Sequence, residues 1–309
     1  MRRPLLRVGL LLLGVVALTA LHPTNLYAFG PATHVFIGQQ LLGMTDLLPP
    51  SIAALLHAHP RSFLYGSIAA DISFAKKYVP AGRHCHFWHV GEEILAAAKN
   101  DKMKAVGYGY LSHLAADTIA HNFFVPRQLL LTPTTQGLGH GYWEHRMDMQ
   151  LGEPFGSIAR ETVIDYDHSE ADQLFDSVLS GTIFSFETNR RIFRGMIRAQ
   201  DNDRWKTIFD RMMQKSRFEL TSETIESYTS RAFDYVVDYL LRGRDSLPAV
   251  LDPVGDFNLQ LAKKVRKIAV KDGGMDRSKR LDDLADDFFP LPNTDLGYWA
   301  QRTAVRTPA

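Results

Sequence analysis

Between Gly107 and Asp148 the chain reads GYGYLSHLAADTIAHNFFVPRQLLLTPTTQGLGHGYWEHRMD, and two sets of polar residues in it recur at helical spacing. His113, Asp117 and His121 are four apart, and so are His140 and Glu144. Four residues of α-helix turn through roughly 400°, which leaves each partner only ~40° round from the last. If both segments are helical, each presents one stripe of imidazole and carboxylate. Those are the groups a divalent zinc ion takes when no thiolate is offered. The stretch therefore predicts helices packed around a metal centre, with the chemistry of a metal-dependent hydrolase.

The rest of the composition narrows the setting. All histidines except His22 and His168 lie between His34 and His145, a clustering that favours a site. With the single cysteine Cys85, the 309-residue chain can form no intramolecular disulfide, so its core or a metal must hold it. A net charge of +1 gives no support for a nucleic-acid binder held by a broad basic face. At the N-terminus Arg2, Arg3 and Arg7 precede the apolar run Val8 to Leu21, and Leu26-Tyr27-Ala28 follow. A basic head, a short apolar middle and a small closing residue make residues 1–28 a secretory signal peptide. A membrane span needs ~20 apolar residues, more than this run offers, and an uncleaved anchor is the alternative reading. The expectation is an exported protein, periplasmic or extracellular, beginning near Phe29.

From there the periodicity predicts helix after helix and no run of alternating strands. Helical segments are expected over Val35 to Leu48, Phe63 to Phe74, from the HCHFWHV segment to about Lys99, Lys104 to Val125 (ended by Pro126) and His140 to Leu151. Gly66, Ala69 and Ala70 would let another helix approach closely. In the second half, Ser169 is expected to cap a helix starting at Glu170, followed by helices at Phe193 to Ile197, Trp205 to Phe218, Phe233 to Leu241, Leu259 to Ile268 and Leu281 to Phe289. Gly273-Gly274 would separate the last two, and the tail after Pro290 reads as irregular. The fold class expected is all-α, a metal-binding region over residues 29–152 with a helical region 153–309 packing with or beside it.

Five pieces, in order, make the resemblance specific: THVFIGQQLL at Thr33 to Leu42, LYGSIAAD at Leu64 to Asp71, CHFW at Cys85 to Trp88, HLAAD at His113 to Asp117, and GHGYWEHRMD at Gly139 to Asp148. Together they resemble the zinc-dependent phospholipase C family, whose fold, a multi-helix bundle with a metal cleft, is shared with zinc-dependent single-strand nucleases. The resemblance implies three zinc ions. One would be held by Asp71, His86, His113 and Asp117, a second by His121, His140 and Glu144. The third would be held by the amine and carbonyl of a mature N-terminal Phe29 with His34 and Asp117. Phe29 stands where the family usually begins with tryptophan, and the gap from Asp117 to His121 is shorter than in bacterial phospholipases. The β-sandwich of the larger toxins has no counterpart after Leu151.

Each residue also has a plainer reading. His113 and Asp117 could be a buried histidine–carboxylate pair, His140 and Glu144 an exposed helical pair, and His34 ordinary surface. His84 or His89 could stand in for His86, and Cys85 reads as a small core residue. Asp148 could accept a hydrogen bond behind the ligands or lie at the surface. His57, His59, His145 and His168 are expected to face solvent. The function implied is an exported phosphodiesterase cleaving the glycerol-side bond of phospholipids with a metal-activated water, Asp71 orienting or deprotonating that water. Transient contact with a membrane surface would accompany it. The alternatives are a single-strand nuclease-like phosphodiesterase and a non-catalytic zinc-binding helical protein.

Overall fold

The computed structural model describes residues 29–73, 79–133, 139–179, 184–200, 220–271, 277–293 and 296–305. Among them there is no strand, and the fold is all-α. One helix is the axis. Helix α5 (Asp101–Ile119) starts where the Asn100 side chain accepts the Met103 N–H at 2.9 Å, and from Ala105 to Ile119 all but one of its residues are buried. Such a helix needs neighbours all round.

Three of those neighbours are α3 (Pro60–Ala69), α4 (Trp88–Ala97) and α11 (Ser222–Arg242), and α1 (Pro31–Leu42) and α2 (Pro50–Ala58) also reach α5. Backbone meets backbone where α3 crosses: a Cβ on Gly66 would lie 2.1 Å from the Val106 carbonyl oxygen, and one on Gly109 2.0 Å from that of Phe63. This is the close approach expected of Gly66. Helix α4 comes in over Gly91, whose Cβ would sit 2.8 Å from Leu114. Helix α11 buries Phe233, Val236, Val237 and Leu240 of its expected stripe, but Leu241 is exposed. One apolar core runs from Phe29 to Phe289 through both halves of the chain.

Several local expectations need correction. The helix expected to stop at Pro126 does not stop there. After Ile119 the chain winds through a π turn, Ala120–Phe124, and continues as α6 (Val125–Leu131). Pro126 falls in the first turn of that new segment, where its missing N–H is no loss. The first helix begins at Pro31 and ends at Leu42, because Gly43 turns the chain into a short 3₁₀ turn at Thr45–Leu47. Helix α3 likewise gives way to a 3₁₀ turn, Ala70–Ile72. Helices α7 (Gly139–Leu151) and α8 (Glu153–Ile164) follow. At α9 (Ser169–Val178) the N-cap position is His168, not Ser169, and Asp167 just before it accepts the Ser169 N–H at 2.9 Å. Helix α10 spans Phe186–Gln200, α12 Asp256–Lys271 and α13 Arg277–Phe288. The tail is not irregular throughout: α14 (Tyr298–Val305) is helical, with Trp299 donating its N–H to Asp234 at 2.7 Å. The helix expected at Trp205 to Phe218, and Gly273-Gly274, lie outside the described residues.

His168 also departs from expectation. It is buried, its ring stacked 3.5 Å from that of Tyr65, with Nε2–H donating to the Thr162 carbonyl at 2.6 Å. The Tyr65 hydroxyl donates to Asp172, which pairs with Arg190. This network ties α3 to α9 and α10.

Two measurements test this packing. Gly109→Ala should cost at least about 2 kcal/mol in denaturant unfolding, because a methyl has no room against the Phe63 carbonyl. An unchanged midpoint would mean the helices do not touch there. Burial pulls the His168 pKa down to about 4, below its unfolded value. Its contribution to stability is therefore present above pH ~6.5 and lost as pH falls from there to ~4, by about 3 kcal/mol at most. His168→Gln, which keeps a donor for Thr162, should show a smaller drop in melting temperature over that window than the parent protein. An identical drop in both would show His168 to be charged or exposed.

Candidate metal centre

Five of the side chains selected by the sequence converge, from four separate pieces of local structure. His34 stands on the first turn of α1, Asp71 in the 3₁₀ turn after α3, and His86 in the loop before α4. His113 and Asp117 stand one turn apart on α5. All five are buried. Asp117 is the hub. Its Oδ2 lies 3.0 Å from His86 Nε2 and 3.1 Å from His113 Nε2, and its Oδ1 lies 3.3 Å from His34 Nε2. Asp71 Oδ1 is 3.5 Å from His86 Nε2 and 3.9 Å from His113 Nε2. The rings of His34 and His113 stack at 3.9 Å.

The donor set fits a divalent cation. His113 Nδ1 is 2.9 Å from the Ser67 carbonyl, which can only accept, so Nδ1 carries the hydrogen and Nε2 offers a lone pair to the centre. The Pro253 carbonyl does the same for His121 Nδ1 at 2.5 Å. Both oxygens of Asp117 and Nε2 of His34 are buried yet engage in no hydrogen bond among the described residues, although their neighbours are close. A buried carboxylate so placed calls for a cation. Burial alone would raise the Asp117 pKa, but His113 and the imidazoles of His34 and His86 outweigh it and hold the carboxyl well below its usual range. Burial, then the neighbouring His113, lowers the His34 pKa and keeps that ring neutral. Neutral imidazole and ionised carboxylate are the states in which these groups bind metal.

Two triads have ligand atoms all within 4.8 Å of one another at this centre: His86 with His113 and Asp117, and His34 with Asp71 and His113. A third group of the same tightness is His84, Cys85 and His86, three consecutive residues. Of the neighbouring histidines, His86 is the one whose Nε2 faces Asp117. His84 Nδ1 accepts the His86 N–H, and His89 is exposed with Nε2 2.8 Å from the Gly82 carbonyl. Cys85 is buried, with Sγ 3.3 Å from His86 Nδ1.

The other predicted groups are placed less centrally. His121 stands in the π turn, so the interval from Asp117 crosses out of α5 and the expected single stripe is broken there. Its Nδ1 is 3.8 Å from Asp117 Oδ2 and its ring 6.1 Å from that of His86. Glu144 is buried on α7 but belongs to none of the tight groups among the described residues. The side chain of His140 lies outside the described residues. Phe29 is fully buried, its ring edge-on to His34 at 6.2 Å and 6.0 Å from Phe124.

Asp148, left open between a supporting and a surface role, is a supporting acceptor. From α7 it reaches the start of α1, taking the N–H groups of Ala32 and Thr33 at 3.1 and 2.9 Å and the Thr33 hydroxyl at 2.6 Å. It thus caps the helix that carries His34. Burial raises its pKa to about 6 despite those bonds. Periodicity gave no sign of the Ser67 and Pro253 carbonyls, since a main-chain acceptor leaves no mark in residue type.

Residues 33–189, just over half of the chain, match the family model described as zinc dependent phospholipase C. No curated protein and no solved structure matches the chain.

The Asp148 cap can be tested from either side. Asp148→Ala removes the acceptor, and Gly30→Ala places a methyl 2.2 Å from its Oδ2. Each should lower stability by about 1–2 kcal/mol in denaturant unfolding and reduce zinc bound per chain. Unchanged midpoints in both variants would show that α1 is positioned by something else.

Proposed function

This chain belongs to the zinc-dependent phospholipase C family, and we propose that it is an exported phosphodiesterase that hydrolyses the glycerol-side bond of phospholipids. The observation that carries the reading is Asp117, a fully buried carboxylate whose two oxygens lie within 3.0–3.3 Å of the ring nitrogens of His34, His86 and His113. His86, His113, Asp117 and Asp71 would hold one zinc ion, and His34 with Asp117 and the Phe29 backbone another. His121, His140 and Glu144 would hold a third. Zinc bound there supplies Lewis-acid polarisation of phosphoryl oxygens and a water whose pKa is near neutral.

The chain's own groups do the remaining work. Ser67 and Pro253, through their carbonyls, fix His113 and His121 as the tautomers that carry the hydrogen on Nδ1. Asp71 orients the attacking water and accepts its proton as the new phosphorus–oxygen bond forms. The bond from phosphorus to the glycerol oxygen breaks and that oxygen takes up a proton, balanced by the one Asp71 releases, leaving diacylglycerol and a phosphorylated head group. Removal of residues 1–28 after Ala28 would free the Phe29 amine close to His34.

Metal-loaded mature protein should be offered a choline phospholipid, single-stranded DNA and a simple nitrophenyl phosphodiester. Cleavage of the lipid and not the DNA is the expected result. Cleavage of DNA alone would replace this reading with a nuclease, and inertness towards all three with a non-catalytic zinc protein. Asp117→Asn should reduce turnover by about a hundredfold or more and lower the zinc bound per chain. Normal turnover in that variant would remove Asp117 from the centre.

A further inference from the structure

Helix α12 has a face that a solvated helix has no use for. Leu259, Ala262 and Ala269 are buried, and the helix packs against α6 and α13. On the opposite side Phe257 is 76 % exposed and Ile268 52 %. At about 100° per residue, Phe257, Lys264, Ile268 and Lys271 fall within a sector roughly 60° wide, with Lys267 about 40° outside it. Lys264, Lys267 and Lys271 are all exposed. Large apolar side chains alternating with lysines on one exposed face are the composition that settles at the boundary between lipid head groups and acyl chains.

The position of the helix supports this. Asp256, its first residue, follows closely on the Pro253 carbonyl that holds His121, and a Cβ on Gly255 would lie 2.5 Å from His121 Cβ. The Asn258 amide also bonds the Asn122 side chain, in the π turn, at 3.0 Å. The N-terminal end of α12 is thus built onto the metal centre, while Phe257 and Ile268 on its outer face stay exposed.

We infer that the Phe257–Lys271 face of α12 docks the protein on a bilayer containing anionic phospholipid. The inference rests on the phospholipid reading of the metal centre and gives that site its surface partner. Phe257 and Ile268 enter the interface, and Lys264, Lys267 and Lys271 meet the lipid phosphates, each lysine contributing about fivefold in affinity. The neighbouring α13 carries exposed Asp282, Asp283 and Asp287, which restricts the docking face to α12. Those acids also define a rival occupant, a second copy of the chain pairing its α13 with this α12.

Vesicle flotation of the metal-loaded full protein decides it, with phosphatidylcholine alone and with phosphatidylglycerol added. Binding should strengthen with phosphatidylglycerol and weaken with salt. The double variants Phe257→Ser/Ile268→Ser and Lys264→Glu/Lys271→Glu should each lose at least about tenfold in binding. Hydrolysis of the soluble nitrophenyl phosphodiester and the melting temperature should stay unchanged. Lys263→Glu, on the flank of the helix, should bind more tightly than Lys264→Glu. Absence of parent binding, equal binding of parent and variants, or equal effects at Lys263 and Lys264 would overturn the inference. So would a parent dimer that the lysine variants dissociate in sedimentation. Binding as described without lipid hydrolysis would leave the docking face standing and remove the phospholipase reading instead.

Discussion

The structure depends on keeping one carboxylate out of water. Asp117 is fully buried, and a lone charge there would be intolerable in a low-dielectric interior. Three imidazole nitrogens lie within 3.3 Å of it, a donor set that calls for a cation as the compensating charge, and each must arrive from a separate element. That requirement explains why α5 is enclosed. A helix bearing the hub needs α1, α3 and α4 close enough for short side chains to reach Asp117. The close contact is obtained by leaving out side chains: Gly66 and Gly109 bring α3 against α5, and Gly91 brings α4. Neither an exposed helix nor one with large residues at these crossings would let His34 and His86 reach the same atom pair.

The second half of the chain is part of this arrangement. The Pro253 carbonyl fixes His121, Leu251 accepts the indole N–H of Trp88 at 2.9 Å, and Asn258 braces the π turn. The π turn itself lets Pro126 follow His121 closely without ending the helical path. It also takes His121 out of register with His113 and Asp117. Residues after Leu151 therefore decide the orientation of a group on the first-half side of the molecule.

What the sequence made legible follows from which constraints act through residue type. Imidazole and carboxylate at helical spacing announce themselves, so His113 and Asp117 on one face of a buried helix could be read directly, as could the all-α class from periodicity. The convergence of His34, Asp71 and His86 on that face could not be read from spacing, because they stand on other elements. It came from the order of the five family-like pieces. Ser67 and Pro253 act through main-chain carbonyls, which every residue possesses. The π turn left no trace because a proline after a helical run ordinarily signals a stop. His168 was misplaced for a related reason. A histidine outside the cluster reads as solvent-facing, whereas stacking on Tyr65 and one carbonyl acceptor suffice to bury it.

The distances in sequence also bear on how such a centre can form. Asp148 caps α1 across 115 residues, and His121 meets Pro253 across 132. Contacts of that separation carry a large loop-closure cost and form late, after local helices have packed. The ligand groups therefore cannot gather in an unfolded chain, and a cation has little to bind there. Its free energy acts almost wholly on the folded state, by mass action. With no disulfide available to offset the repulsion of Asp71 and Asp117, the same ions that would serve chemistry would also stabilise the packing of the helices that hold them. A site built this way gives up the option of losing its metal at no cost to the fold.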